Sequence, residues 1–121
     1  MCHILIVEDE QNISAFITKG LKKSGFQTTV VSSGRQAIAL SEQTAYSLIL
    51  LDIGLIELDG WAVLRAIRKR GDLIPIIIMT AHTYSQSEVI AAGANDYLQK
   101  PFRFTDLVAA VRQHFPPPSE F

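Results

Sequence analysis

Four short runs of apolar or β-branched residues punctuate the chain, Ile4 to Val7, Thr28 to Val31, Leu48 to Leu51 and Ile76 to Met79, and a weaker fifth follows at Tyr97-Leu98. Within each run these residues follow one another instead of alternating with polar ones. A strand with one wet face alternates, whereas a strand covered on both faces does not. The segments between the runs have helical spacing. Ile13, Ile17 and Leu21 recur turn by turn, and Gly25 follows as a stop. Leu64 and Ile67 continue the pattern after Gly60 and end near Gly71. Phe104, Leu107, Val108, Val111 and Phe115 form one stripe before Pro116-Pro117-Pro118. Strand and helix in regular alternation predict an α/β fold, a doubly wound five-stranded parallel sheet with helices on both faces and right-handed crossovers.

A length of 121 residues suits one domain, and 48% hydrophobic residues are enough for a core. No apolar run approaches the ~20 residues of a membrane helix, so no membrane contact is expected. The start, Met1 to Asp9, reaches acid after a handful of apolar residues and has neither a basic leader nor a small-residue cleavage site. No secretory signal is therefore expected, and the expected location is the cytoplasm. The single cysteine, Cys2, has no internal partner, which fits a reducing compartment, and reads as inert. A net charge of -1 provides no footprint for nucleic acid. Residues 1–115 read as the domain. Residues 116–121 read as a Pro-rich tail, either a simple terminus or the first part of a linker to an output domain.

Parallel strands point their carboxyl ends at one edge, and open α/β sheets bind ligands there. The residues after each run therefore compose the site. Glu8-Asp9 follow the first, Asp52 the third, Thr80 the fourth and Lys100-Pro101 the fifth. Carboxylates gathered about 4 Å apart repel by several kcal/mol per pair at an effective dielectric near 20, and one lysine cannot neutralise three acids. Either a carboxylate takes up a proton or a divalent cation binds. Oxygen donors without His or Cys at ligand spacing favour a hard ion, and a shell completed by water and phosphate suits Mg²⁺, with Mn²⁺ as a substitute. A metal beside a carboxylate, a hydroxyl and an ammonium is equipment for phosphoryl transfer. Asp52, ending the central apolar run, is the best nucleophile.

The stretches "ILIVEDE", "LILLD", "IIIMTA" and "GANDYLQKPF", in this order across nearly the whole chain, resemble the receiver domain of two-component response regulators. The resemblance implies a flavodoxin-like sheet of order 2-1-3-4-5. It implies that Asp52 accepts a phosphoryl group from the phosphohistidine of a sensor histidine kinase or phosphotransfer protein. Asp9 would then bind Mg²⁺ directly, Glu8 largely through water, and the backbone carbonyl of Gly54 would be a further ligand. Thr80 would bond the phosphoryl group and Lys100 would pair with it, with Pro101 after a cis peptide aiming the lysine. Thr80 and Tyr97 would form the switch. An output domain and a homodimer are further expectations. Slow self-hydrolysis would make this a regulatory phosphoacceptor and not an enzyme.

Three features depart from the family pattern. Ile56 stands where proline is usual, Gly54 replaces a bulkier side chain, and the segment from Thr80 to Gly93 is short, which predicts a brief helix near residues 87–92. Two other functions remain open on sequence. One is a metal-dependent phosphatase with an aspartyl intermediate, although such enzymes usually carry a second acid where Gly54 stands. The other is a degenerate receiver that only binds partners. Taken singly, several residues also have plainer readings: Glu8-Asp9 with Asn12 as a helix cap, Thr80 as a turn residue, Lys100 as solvated, Tyr97 as a strand aromatic. Asp59-Gly60 reads as a helix N-cap and entry turn. His82 reads as an exposed loop histidine or as a neighbour of the phosphate. Gly20 to Gly25 has phosphate-loop spacing, but Phe26 replaces the required lysine.

Overall fold

The computed structural model describes residues 3–115, so the readings made on Cys2 and on the segment 116–121 lie outside the described residues. Strands β1 (His3–Val7), β2 (Gln27–Val31), β3 (Leu48–Asp52), β4 (Ile76–Thr80) and β5 (Asp96–Gln99) alternate with helices α1 (Gln11–Lys23), α2 (Gly34–Gln43), α3 (Gly60–Lys69), α4 (Gln86–Ala91) and α5 (Phe104–His114). All strand pairs are parallel, and the order is β2-β1-β3-β4-β5. This is the doubly wound sheet expected.

The continuous apolar runs have the anticipated cause. In β1, Ile4 and Ile6 enter one core with Ile17, Leu21, Leu48, Leu50, Ile77, Met79, Leu107 and Val111, so this side lies under α1 and α5. Leu5 and Val7 enter a second core with Ile49, Leu51, Ile76, Ile78, Val63, Leu64, Ile67 and Val89, under α2, α3 and α4. Successive side chains of a strand alternate faces, so a strand between two cores must be apolar at every position. The strands β3 and β4 are buried throughout, whereas the edge strands β2 and β5 keep exposed residues. That edge position explains why the second and fifth runs were the less apolar ones.

Local chemistry ends the elements. Asp59 caps α3 by accepting the Ala62 amide at 2.9 Å, as its sequence context predicts, and Ser33 caps α2 by accepting that of Gln36. Gly25, with φ of 90°, closes α1 in the left-handed region, where the Phe26 amide reaches back to the Leu21 carbonyl. The helix α4 is brief, as the short segment predicted, and is held at its start by a reciprocal pair in which Ser85 and Glu88 bond each other's backbone amides. Gly20 has no phosphate-loop role in this arrangement, since it lies inside α1 where a Cβ would overlap the Phe104 ring. Among the described residues no helix is long and apolar enough to cross a membrane.

Candidate functional site

Because β1, β3, β4 and β5 run parallel, the residues at their carboxyl ends share one rim. Asp52 and Thr80 are the last residues of β3 and β4, Glu8-Asp9 directly follow β1, and Lys100 directly follows β5. The structure brings Glu8, Asp9 and Asp52 together, with one carboxylate oxygen of each within 4.8 Å of the others. Glu8 and Asp52 are nearly sealed, at 2% and 4% exposure, while Asp9 is half-buried. Lys100 reaches between them, its Nζ donating to Glu8 Oε1 at 2.9 Å and to Asp52 Oδ1 at 3.1 Å. Asp52 Oδ1 also accepts the Gly54 amide at 3.1 Å. Both contacts fall on Oδ1, and among the described residues Oδ2 has no hydrogen-bond partner.

The reading of Glu8-Asp9 as a cap shared with Asn12 does not hold. The N-cap of α1 is Glu10, which makes no side-chain cap bond, and Asn12 already lies inside the helix. Glu8 instead turns into the rim, where its Oε2 accepts the Glu10 amide at 3.2 Å. Thr80, 2% exposed, ends β4, and its side chain also makes the two-residue turn contact of its plainer reading. Its Oγ1 accepts the His82 amide at 3.0 Å, which leaves the hydroxyl proton available, and its carbonyl accepts the Lys100 amide at 2.6 Å. The Lys100-Pro101 peptide is cis. Tyr97 is half-buried in β5, paired in register with Ile78, and packs against the same core as Trp61 and Tyr84. His82 is exposed, and Ile56 stands out at 87% exposure.

Gly54 is exposed and does not take a positive φ. A Cβ there would sit 3.7 Å from Asp52 Oδ1, an ordinary contact. Neither backbone nor packing requires glycine at this position.

Burial and the neighbouring charges both act on these groups. Burial pushes the Glu8 carboxyl up to about 7 from an ordinary 4.5; the Lys100 hydrogen bond opposes that rise and the Asp52 charge adds to it. Burial works against the Lys100 ammonium, but its bonds to Glu8 and Asp52 outweigh this and hold its pKa above the ordinary value. Three oxygen donors without nitrogen or sulfur, only one of their charges balanced by a lysine, make a set that could hold a hard divalent ion. An apolar cleft of about 440 Å³ flanks the rim, lined by Ile13, Phe16, Phe102 and the stem of Lys100. Sequence reasoning missed this cleft, because its lining comes from segments distant in the chain.

Comparison with known proteins identifies the family and the fold. The family described as response regulator receiver domain matches residues 4–112. The transcriptional regulatory protein PcoR of Escherichia coli is 41% identical over 114 residues, which are 93% of this chain and 50% of that protein. The chain thus spans about half the length of the curated relatives it matches. Among solved structures, the chemotaxis protein CheY4 of Vibrio cholerae superposes with a TM-score of 0.87 at 24% identity, covering 95% of this chain and 99% of that one, a likeness of fold. The receiver domain of a sensor histidine kinase from Pseudomonas aeruginosa, solved with a magnesium ion coordinated in its active-site cleft, gives a TM-score of 0.84 at 36% identity, over 93% and 96% of the two chains. With the acids, the hydroxyl and the lysine on one rim of a 2-1-3-4-5 sheet, and the family match running from β1 into α5, this chain belongs to the response regulator receiver domains.

Proposed function

We propose that this domain is a phosphoacceptor switch, in which Asp52 takes a phosphoryl group from the phosphohistidine of a sensor histidine kinase or phosphotransfer protein. The observation that carries this reading is the state of Asp52. Its Oδ1 is held by Lys100 and the Gly54 amide, while Oδ2 has no partner among the described residues and is left as the attacking atom. Oδ2 forms the bond to phosphorus as the phosphorus-nitrogen bond breaks and its electron pair returns to the imidazole. Lys100 supplies positive charge beside the equatorial oxygens. Thr80 donates its free hydroxyl proton to one of them without giving up the bond it accepts from His82.

Glu8, Asp9, Asp52 and the Gly54 carbonyl are the groups that would hold Mg²⁺, or Mn²⁺ in its place. When bound, the ion supplies charge stabilisation for the transferring group. Pro101 fixes the chain from which Lys100 projects. The added phosphate charge, about -1.5 to -2, biases a two-state pair of Thr80 and Tyr97, and the altered surface reaches an output domain or a second copy of the domain. In this reading residues 1–115 are the receiver and 116–121 begin a tail or linker. The protein would work in the cytoplasm as a regulatory domain and not as an enzyme, without itself touching nucleic acid.

Acetyl phosphate with Mg²⁺ is the direct test. Intact-mass spectrometry is expected to show the gain of one phosphoryl group, lost again over time and absent when a chelator removes the metal. Repeated turnover of a phosphomonoester would point to a phosphatase instead.

Metal affinity has a predictable pH dependence. Mg²⁺ competes with the proton on Glu8, so affinity rises with pH by roughly tenfold per unit at most below 7 and levels off above it. Without metal the sign for stability is opposite. A carboxyl raised from 4.5 to about 7 favours the fold below its unfolded value and loses that contribution as pH rises through 7. Titration calorimetry in buffers on either side of neutrality checks the first statement, and a flat profile contradicts it.

A further inference from the structure

Residues 81–85 connect Thr80 to α4, and every one of them is exposed except Tyr84. Both ends of this segment are tied down. The His82 amide donates to Thr80 Oγ1 at 3.0 Å, and Ser85 is locked to Glu88 at the start of α4. Between them Tyr84 turns inward, its ring edge-on to Trp61 with centroids 5.5 Å apart and planes at 83°. That distance and angle lie in the favourable range for an aromatic pair. Trp61 follows Gly60, the residue packed directly on the backbone carbonyl of Asp52.

The acceptor aspartate and its partner threonine are thus each connected to the same aromatic contact, one through Gly60 and the start of α3, the other through residues 81–83. The backbone of Tyr97 is held in a strand ladder. Tyr84 has no such ladder; between the two anchored ends its ring rests on Trp61, at 5.5 Å, and more loosely on His82, at 6.4 Å. The geometry points to an autoinhibitory latch: the edge-on contact of Tyr84 with Trp61 holds the loop after Thr80 in its unphosphorylated arrangement, and has to open before the phosphorylated arrangement can form. This rests on the proposal that Asp52 accepts a phosphoryl group, and adds a restraint separate from the Thr80 and Tyr97 pair. Opening one aromatic pair shifts such an equilibrium by roughly three- to tenfold.

Trp61 is the only tryptophan, so its emission reads the contact. Beryllofluoride with Mg²⁺, a mimic of the aspartyl phosphate, is the probe. Wild-type emission is expected to change on loading. Tyr84→Ala should start near the loaded emission, change little, and half-saturate at a beryllofluoride concentration lower by roughly three- to tenfold. Tyr84→Phe keeps the ring and should behave as wild type; Tyr84→Leu carries the expectation for Tyr84→Ala if that variant does not fold. The latch is overturned if a folded Tyr84→Ala saturates and changes emission as wild type does, or if Trp61 emission stays constant while mass spectrometry shows Asp52 phosphorylated. Absence of any phosphoryl transfer to wild type would overturn the underlying reading instead, which separates the two failures.

Discussion

Asp9→Ala is expected to weaken Mg²⁺ binding by roughly two orders of magnitude, about 3 kcal/mol. Glu8 and Asp52 are each partly compensated by Lys100, at 2.9 Å and 3.1 Å, whereas Asp9 makes no ion pair among the described residues. It therefore contributes its charge to the cluster undiminished. Its removal leaves two acids already sharing one ammonium, a much poorer cation site. The same substitution relieves repulsion in the metal-free protein, so its melting temperature without Mg²⁺ should rise. Titration calorimetry and thermal unfolding measure both. An affinity within about a factor of two of wild type would place the cation somewhere other than this rim.

Gly60→Val should lower stability by ~3 kcal/mol or more. A Cβ at this position overlaps the carbonyl oxygen of Asp52, and lies 2.6 Å from Ile53 Cα and 2.9 Å from Ile53 Cδ1. The first two are backbone atoms, and no rotamer change moves them aside. Relief requires α3 to back away from β3 or Asp52 to shift, so, on the proposed function, phosphoryl acceptance should fall together with stability. Gly54→Ala is the matching control. Its Cβ finds only an ordinary 3.7 Å contact, and its cost should stay within about 0.5 kcal/mol. Urea unfolding compares the two, and equal stability of Gly60→Val and wild type would remove the close approach as a constraint.

The difference between these two glycines shows where sequence reading reaches and where it stops. The central strands were legible because Leu48 to Leu51 and Ile76 to Met79 must be apolar on both sides of a sandwiched sheet, a requirement written in consecutive residues. The rim was legible for a related reason: in a parallel sheet the residue after each apolar run has to arrive at the same edge. Strands β2 and β5 were fainter because edge strands keep polar residues such as Gln27 and Gln99. Gly54 and Gly60 look alike in sequence. Only the packing of α3 on β3 distinguishes a replaceable glycine from one that approaches the Asp52 carbonyl. The Tyr84 and Trp61 contact was hidden for the same reason, since nothing periodic relates a loop residue to the first turn of a helix more than twenty residues earlier. Arg68 is another case. It binds the carbonyls of Gly93 and Asp72 and the side chain of Asn95, and so joins α3 to the entry of β5, contacts that helical spacing does not reveal.

The central claim, that this rim presents Asp52 as the atom that receives phosphorus, is tested most directly by locating the modification. After exposure to acetyl phosphate and Mg²⁺, borohydride reduction converts an aspartyl phosphate to homoserine, and peptide mass spectrometry assigns the position. The account predicts homoserine at position 52 alone, and no phosphoryl gain in Asp52→Asn. Homoserine at Asp9, or equal labelling of the Asp52→Asn variant, would contradict it.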